Sequence, residues 1–134
     1  MKKVYQTKFG GLDTPIDERG NCFQAAVASI LEIPIEESIN IQDWNGTEWF
    51  DKFREWLEQF GLSTIGLATD GNITIQGYHL IECESTTLNN GELHVVVGLN
   101  QEVVHDPNPN ATTIGKVVDY IVFTLLDPAQ RISK

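Results

Sequence analysis

Gly20-Asn21-Cys22-Phe23-Gln24-Ala25-Ala26-Val27-Ala28-Ser29-Ile30-Leu31 is the stretch from which the rest of the chain can be ordered. Phe23, Ala26, Val27, Ile30 and Leu31 recur at helical spacing and make one apolar stripe, which predicts an amphipathic helix over 22–31. Asn21 takes the N-cap position, and Gln24 three residues on resembles a capping box. Pro34 ends the helix, with room for one short helical turn in 34–40. Cys22 therefore falls in the first turn. A thiol there sees the positive end of the helix dipole and unpaired backbone N–H groups, and both favour the thiolate, which is the nucleophile. Gly20 leaves room for a ligand to approach. The alternative is a buried structural cysteine, since a free thiol packs well as a small hydrophobe.

Upstream, residues 1–20 read as irregular or short-stranded, punctuated by Gly10-Gly11, Pro15 and Gly20. Lys2, Lys3 and Lys8 give a charged start, but no apolar run follows, so no signal peptide is expected. Downstream, Trp49, Phe50, Phe53, Trp56, Leu57 and Phe60 make an aromatic stripe over a second helix, 47–60, with Thr47 as N-cap and Gly61 as stop. Such a stripe predicts core packing. From residue 62 the period changes. Segments 62–67, 77–83, 93–99, 102–105 and 119–126 read as short strands, rich in Ile and Val and separated by Gly, Asn, Asp and Pro. Helices precede strands, which predicts an α+β fold with N-terminal helices packed on a C-terminal antiparallel sheet, and not a doubly wound parallel one. No linker divides the chain, so 1–134 is read as a single domain.

Nine Lys and Arg stand against nineteen Asp and Glu, a net charge of -10. Such a surface repels phosphate backbones and anionic lipid, which argues against nucleic-acid and membrane partners. It suits a peptide or cationic substrate, or a basic protein partner. No window is long and apolar enough for a membrane span. Cys22 and Cys83 have no CxxC spacing and read as reduced thiols of a cytoplasmic protein. Histidines and cysteines lack zinc-ligand spacing, and no phosphate-binding glycine motif is present, so neither metal nor cofactor is expected.

A thiolate nucleophile needs an imidazole and a group that orients it. The histidines are His79, His94 and His105. His94 opens His94-Val95-Val96-Val97-Gly98, and the chain returns through Glu102-Val103-Val104-His105-Asp106. If Gly98 faces Glu102, His94 lies directly opposite Asp106, with Cβ atoms about 5 Å apart. The two would share a sheet face with Val96 and Val104, packed against the Cys22 helix, and His105 would take the other face. A two-residue turn at Asn100-Gln101 would put His94 and Asp106 on opposite faces. Taken alone, Asp106 is a turn residue of Asp106-Pro107-Asn108-Pro109, His79 a structural hydrogen-bonding histidine and Cys83 a buried strand cysteine.

The order of helix-start Cys, strand His and strand-end Asp resembles that of the papain-like cysteine peptidases. Gly20–Leu31 looks like their nucleophile helix, His94-Val95-Val96-Val97-Gly98 like their histidine strand, and Val104-His105-Asp106-Pro107 like the strand ending in the orienting residue. The chain is similar over nearly its whole length to a group of small papain-like proteins of bacteria and their phages. The motifs are Tyr5-Gln6-Thr7, Gly20-Asn21-Cys22, Gly77-Tyr78-His79 and His105-Asp106-Pro107-Asn108-Pro109. It is more distantly similar to the bacteriocin-leader-processing peptidases. The resemblance implies a minimal papain-like domain and a Cys22–His94–Asp106 triad. It also implies an oxyanion donor upstream of the nucleophile; Gln6 matches it, sixteen residues before Cys22, and Asn21 is the alternative. Any cleft is expected to be shallow or built from loops such as 43–46 and 84–92.

The expected function is a cysteine hydrolase acting on an amide, a peptidase or isopeptidase. The same residues allow acyl transfer or deamidation, because these differ only in what resolves the thioester. A third expectation is a non-catalytic acidic binder that blocks a basic host protein, as a phage-type inhibitor would.

Overall fold

The structure, a computed structural model, describes residues 1–44, 47–69, 72–88 and 92–129. The first helix, α1, is Cys22–Leu31, as the apolar stripe predicts. Asn21 holds the N-cap position, but its side chain does not cap the helix, so the expected capping box is absent. The reason lies further off: Asn21 Oδ1 accepts from the Thr7 and Lys8 amides, and its Nδ2 donates to Thr7 Oγ1 and Gln24 Oε1. Helix α1 stops where Glu32 turns left-handed and the Ile33 amide bonds back to Ala28, just before Pro34. A single 3₁₀ turn follows at Ile35–Glu37.

Helix α2 is Glu48–Leu57 and tightens into a 3₁₀ turn over Glu58–Phe60, ended by Gly61 at φ 72°. The aromatic stripe is only partly core. Phe53 and Leu57 are fully buried; Trp49, Phe50 and Trp56 are half-buried, and Phe60 is exposed. Each fully buried side chain of this size contributes about 1.5–3 kcal/mol.

Among the described residues five strands form one antiparallel sheet: β1 Leu62–Ala68, β2 Tyr78–Glu84, β3 Leu93–Leu99, β4 Glu102–His105 and β5 Val117–Leu125, in the order β1-β5-β2-β3-β4. Two helices on an antiparallel sheet is the α+β arrangement that the element order predicts. Leu80, Val95, Val97 and Ile121 point one way and pack on Phe23, Ala26, Val27, Phe53 and Leu57. Ile81, Val96 and Tyr120 point the other way and pack on Ile75. The face against α1 is therefore that of Val95 and Val97, and the expected placing of Val96 there is corrected. Among the described residues no helix is long and apolar enough to cross a membrane.

The β3–β4 hairpin departs from the expected register. Leu99 faces Glu102 and Gly98 faces Val103, so the turn is the two-residue one, Asn100-Gln101. Both residues have positive φ, 50° and 77°, as a type I′ turn requires. A Gln there is held by partners far away in sequence: its amide donates to Ile73 O and accepts from the Ile75 N–H, while Asn100 Oδ1 accepts from Gly77 N. That turn alone would set His94 and Asp106 on opposite faces. A bulge prevents it: Val97 faces His105, leaving Val104 as an extra residue. Asp106 is thereby returned to the His94 side, displaced diagonally instead of directly opposite.

Candidate active site

Cys22 is the first residue of α1 and His94 the second of β3, so the two meet where both elements begin. His94 Nε2 lies 2.7 Å from Asp106 Oδ1. The same Oδ1 accepts from the Asn108 amide at 2.9 Å, which fixes the carboxylate through the turn at Pro107. With Nε2 turned to Asp106, the other ring nitrogen is the one available to Cys22, which lines the same cavity. Burial alone would lower the proton affinity of His94. The hydrogen bond to Asp106, then Cys22 and the charges of both, outweigh it and raise the imidazole to about 9. The ring is thus an imidazolium at neutral pH beside a half-buried thiol.

Gln6 reaches the same place from the N-terminal segment. That segment is threaded between α1 and the end of β4: Val4 N donates to Ser29 Oγ, His105 Nε2 bonds Val4 O at 2.7 Å, and Gln6 N donates to Pro107 O. His105 also meets the Tyr5 ring edge-on. Most of the fifteen residues between Gln6 and Cys22 are taken up by an excursion over 9–19 that closes on itself, Gly20 N donating to Gly10 O and Asn21 N to Lys8 O. Gln6 is 8% exposed, and its Nε2 donates one hydrogen to Lys8 O. Asn21, the other oxyanion candidate, has both amide hydrogens engaged by Thr7 and Gln24. Gln24 in turn holds the next loop through Ile35 O and Ser38 O.

These side chains open on a cavity of about 330 Å³, lined among others by Gln6, Cys22 and His94. Ser85, Thr87, Leu88 and Glu92 form one wall, as expected for the 84–92 loop; the other is Asn40 to Gln42, just ahead of the expected 43–46. Of those loops, 45–46 and 89–91 lie outside the described residues. Sequence reasoning missed the third wall, Phe9 to Leu12. It is tied across the cavity by Glu92, whose carboxylate accepts from Leu12 N at 3.0 Å. No local signal marks this pairing, because the partners are eighty residues apart.

Cys83 and His79 lie on β2 and do not line this cavity, though Cys83 is paired directly across from His94. Cys83 is fully buried in β2; burial above all pushes its thiol up to about 11, and it donates to His94 O. His79 is also fully buried, with Nδ1 on Gly77 O and its ring edge-on to Tyr120. Among the described residues no group of three or more His, Cys, Asp or Glu is placed to hold a metal ion. No family model matches the chain, and neither a curated protein nor a solved structure matches it.

Proposed function

We infer that the chain is a cysteine hydrolase that cleaves amide bonds, a peptidase or isopeptidase on a papain-like α+β scaffold. The observation that carries this is the Asp106 carboxylate on the His94 ring, with His94 and the Cys22 thiol lining one cavity. An imidazolium held to about 9 beside a helix-start thiol is what a thiolate nucleophile requires.

In the proposed reaction the Cys22 sulfur attacks the substrate carbonyl carbon. The oxygen that gains charge is held by the Cys22 backbone N–H and by the second Nε2 hydrogen of Gln6, a pairing worth a few kcal/mol in such sites. Gln6 is preferred to Asn21 because both amide hydrogens of Asn21 are engaged. The C–N bond breaks as His94 gives its proton to the leaving amine, leaving a thioester on Cys22. Water, deprotonated by His94, attacks that thioester and frees the acid. Asp106 holds the ring in position throughout and favours its charged form.

A peptide or protein substrate in the cytoplasm fits the reduced thiols and the charge of -10, which also suits a basic partner. The test is mass spectrometry of a peptide mixture incubated with the chain, with and without an added primary amine. New termini that disappear with Cys22→Ala support hydrolysis. Amine-capped products point to acyl transfer. Identical mixtures with both proteins would end the enzyme reading and leave a binding role.

A further inference from the structure

Gln6 has an oxygen that the proposed reaction does not use. The side chain is more than nine-tenths buried and lines the cavity that holds Cys22 and His94. Its Nε2 gives one hydrogen to Lys8 O at 2.9 Å, and the second is the one assigned to the oxyanion. Its Oε1 is a buried acceptor without a hydrogen-bond partner among the described residues. Buried acceptors are nearly always paired, because a bare one forfeits the hydrogen bonds that water would give it. The side-chain amides of Asn21, Gln24 and Gln42 line the same cavity but donate elsewhere, to Thr7 and Gln24, to Ile35 O and Ser38 O, and to Gly20 O.

Gly20 stands beside this amide. A Cβ there would lie 3.7 Å from Gln6 Nε2 and 3.5 Å from Gly10 O. As a glycine it lines the cavity and leaves the approach to the amide free of a side chain. The Gln6 carboxamide offers one donor and one acceptor side by side on one planar group. An extended peptide residue presents the complement. Its own N–H and C=O point to the same side, which is how two residues of an antiparallel ladder exchange both bonds. A carbonyl oxygen that takes the Nε2 hydrogen thus brings the N–H of its own residue toward Oε1.

We propose that Gln6 clamps the substrate backbone at the residue whose carbonyl Cys22 attacks: Nε2 donates to that carbonyl oxygen, and Oε1 accepts that residue's own N–H. This rests on the hydrolase reading and narrows its substrate to the α-carbonyl of an extended amino-acid residue. A proline at that place has no N–H to give. A glutamine side-chain amide has none on the carbon next to its carbonyl. Cleavage of a peptide bond, or of an isopeptide made through a chain's C-terminal carbonyl, is therefore favoured over side-chain deamidation.

The test uses the full chain and two thiol alkylators that differ at one position. The first is acetyl-Ala-Ala-Ala-chloromethyl ketone. The second carries lactic acid in place of the last alanine, so an ester oxygen replaces the N–H. With either, the Cys22 sulfur bonds to the methylene carbon, chloride leaves and the thiol proton passes to the buffer. Adducts at Cys22 are followed by peptide mass spectrometry, with iodoacetamide as the measure of the bare thiol. The clamp predicts that the N–H probe alkylates Cys22 about tenfold faster than the ester probe or more, and that Gln6→Leu brings the two within about twofold. Gln6→Glu, which keeps an acceptor oxygen, retains the preference. Equal rates in the wild type, a preference that survives in Gln6→Leu, or a loss as complete in Gln6→Glu as in Gln6→Leu overturns the clamp. The wild-type comparison needs no substitution, so it stands even if a variant fails to fold. Equal rates with Cys22-dependent cleavage of peptides lose the clamp and keep the hydrolase; a clear preference with no peptide cleaved keeps the clamp and loses the hydrolase.

Discussion

The molecule's two cysteines, Cys22 and Cys83, sit in surroundings that differ in almost every respect that controls reactivity. Cys22 and His94 start their elements, lie half-buried and open on a cavity. Cys83 and His79 share β2, a strand with neighbours on both sides, and both are fully buried. The residue types are the same. What differs is access and charge: the first thiol adjoins an imidazolium held by Asp106, whereas the second is kept neutral by burial. A cysteine becomes a nucleophile through its place in the fold, not through its chemistry alone.

The comparison breaks most directly by exchange of the two thiols' fates. Cys22→Ala is expected to lower kcat/KM on a cleaved peptide by at least about 10⁴-fold. Cys83→Ala should leave it within about threefold and cost about 1 kcal/mol of stability, read by urea unfolding. Comparable losses of activity from both would show that the buried thiol takes part.

Asp106→Asn probes the imidazole. It should lower kcat/KM by about 10²–10⁴-fold and move the His94 titration, followed by NMR of the ring, down from about 9. The sign for stability follows. A histidine whose folded value is raised stabilises the fold fully below its ordinary value of about 6.5 and loses that contribution as pH rises through about 9. The wild-type fall in stability over that window should flatten in Asp106→Asn.

The buried His79 has its own test. A Cβ on Gly98 would meet His79 Nε2 at 2.5 Å, so the ring packs where only glycine fits. Gly98→Ala should cost about 1–3 kcal/mol, and much less in a His79→Ala background, with thiol reactivity of Cys22 unchanged in both. The smallest effect expected is at Glu82. Burial, and the carboxyl of Asp119 across the sheet, raise its folded carboxyl to about 7, so its contribution to stability is full below the ordinary value and is lost as pH rises through about 7. Glu82→Gln should gain about 1 kcal/mol at pH 8 and little at pH 4 by thermal unfolding, discounted for its partial exposure.

Much of this was legible in the chain. The stripe of Phe23, Ala26 and Val27 marks α1 to the residue, and β-branched runs between turn residues mark β3 and β4. The pairing of His94 with Asp106 was legible from chain order, but the route was not. It needs a left-handed Gln101 held by Ile73 and Ile75, and a bulge at Val104 that undoes the parity of the turn. Both depend on contacts remote in sequence. Gln6 is brought to Cys22 only because Asn21 and His105 pin the segment before the excursion. Glu82 and Asp119 meet only because β5 inserts between β1 and β2, an order that local patterns do not carry.

The central claim is that His94, oriented by Asp106, makes Cys22 a nucleophile. The most direct measurement is the rate of iodoacetamide alkylation at Cys22 between pH 5.5 and 9, located by peptide mass spectrometry, in the wild type and in His94→Ala. An imidazolium beside the thiol predicts that His94→Ala is at least about tenfold slower near pH 6.5 and that the two converge toward pH 9 and above. Superimposable rates across that range would contradict it.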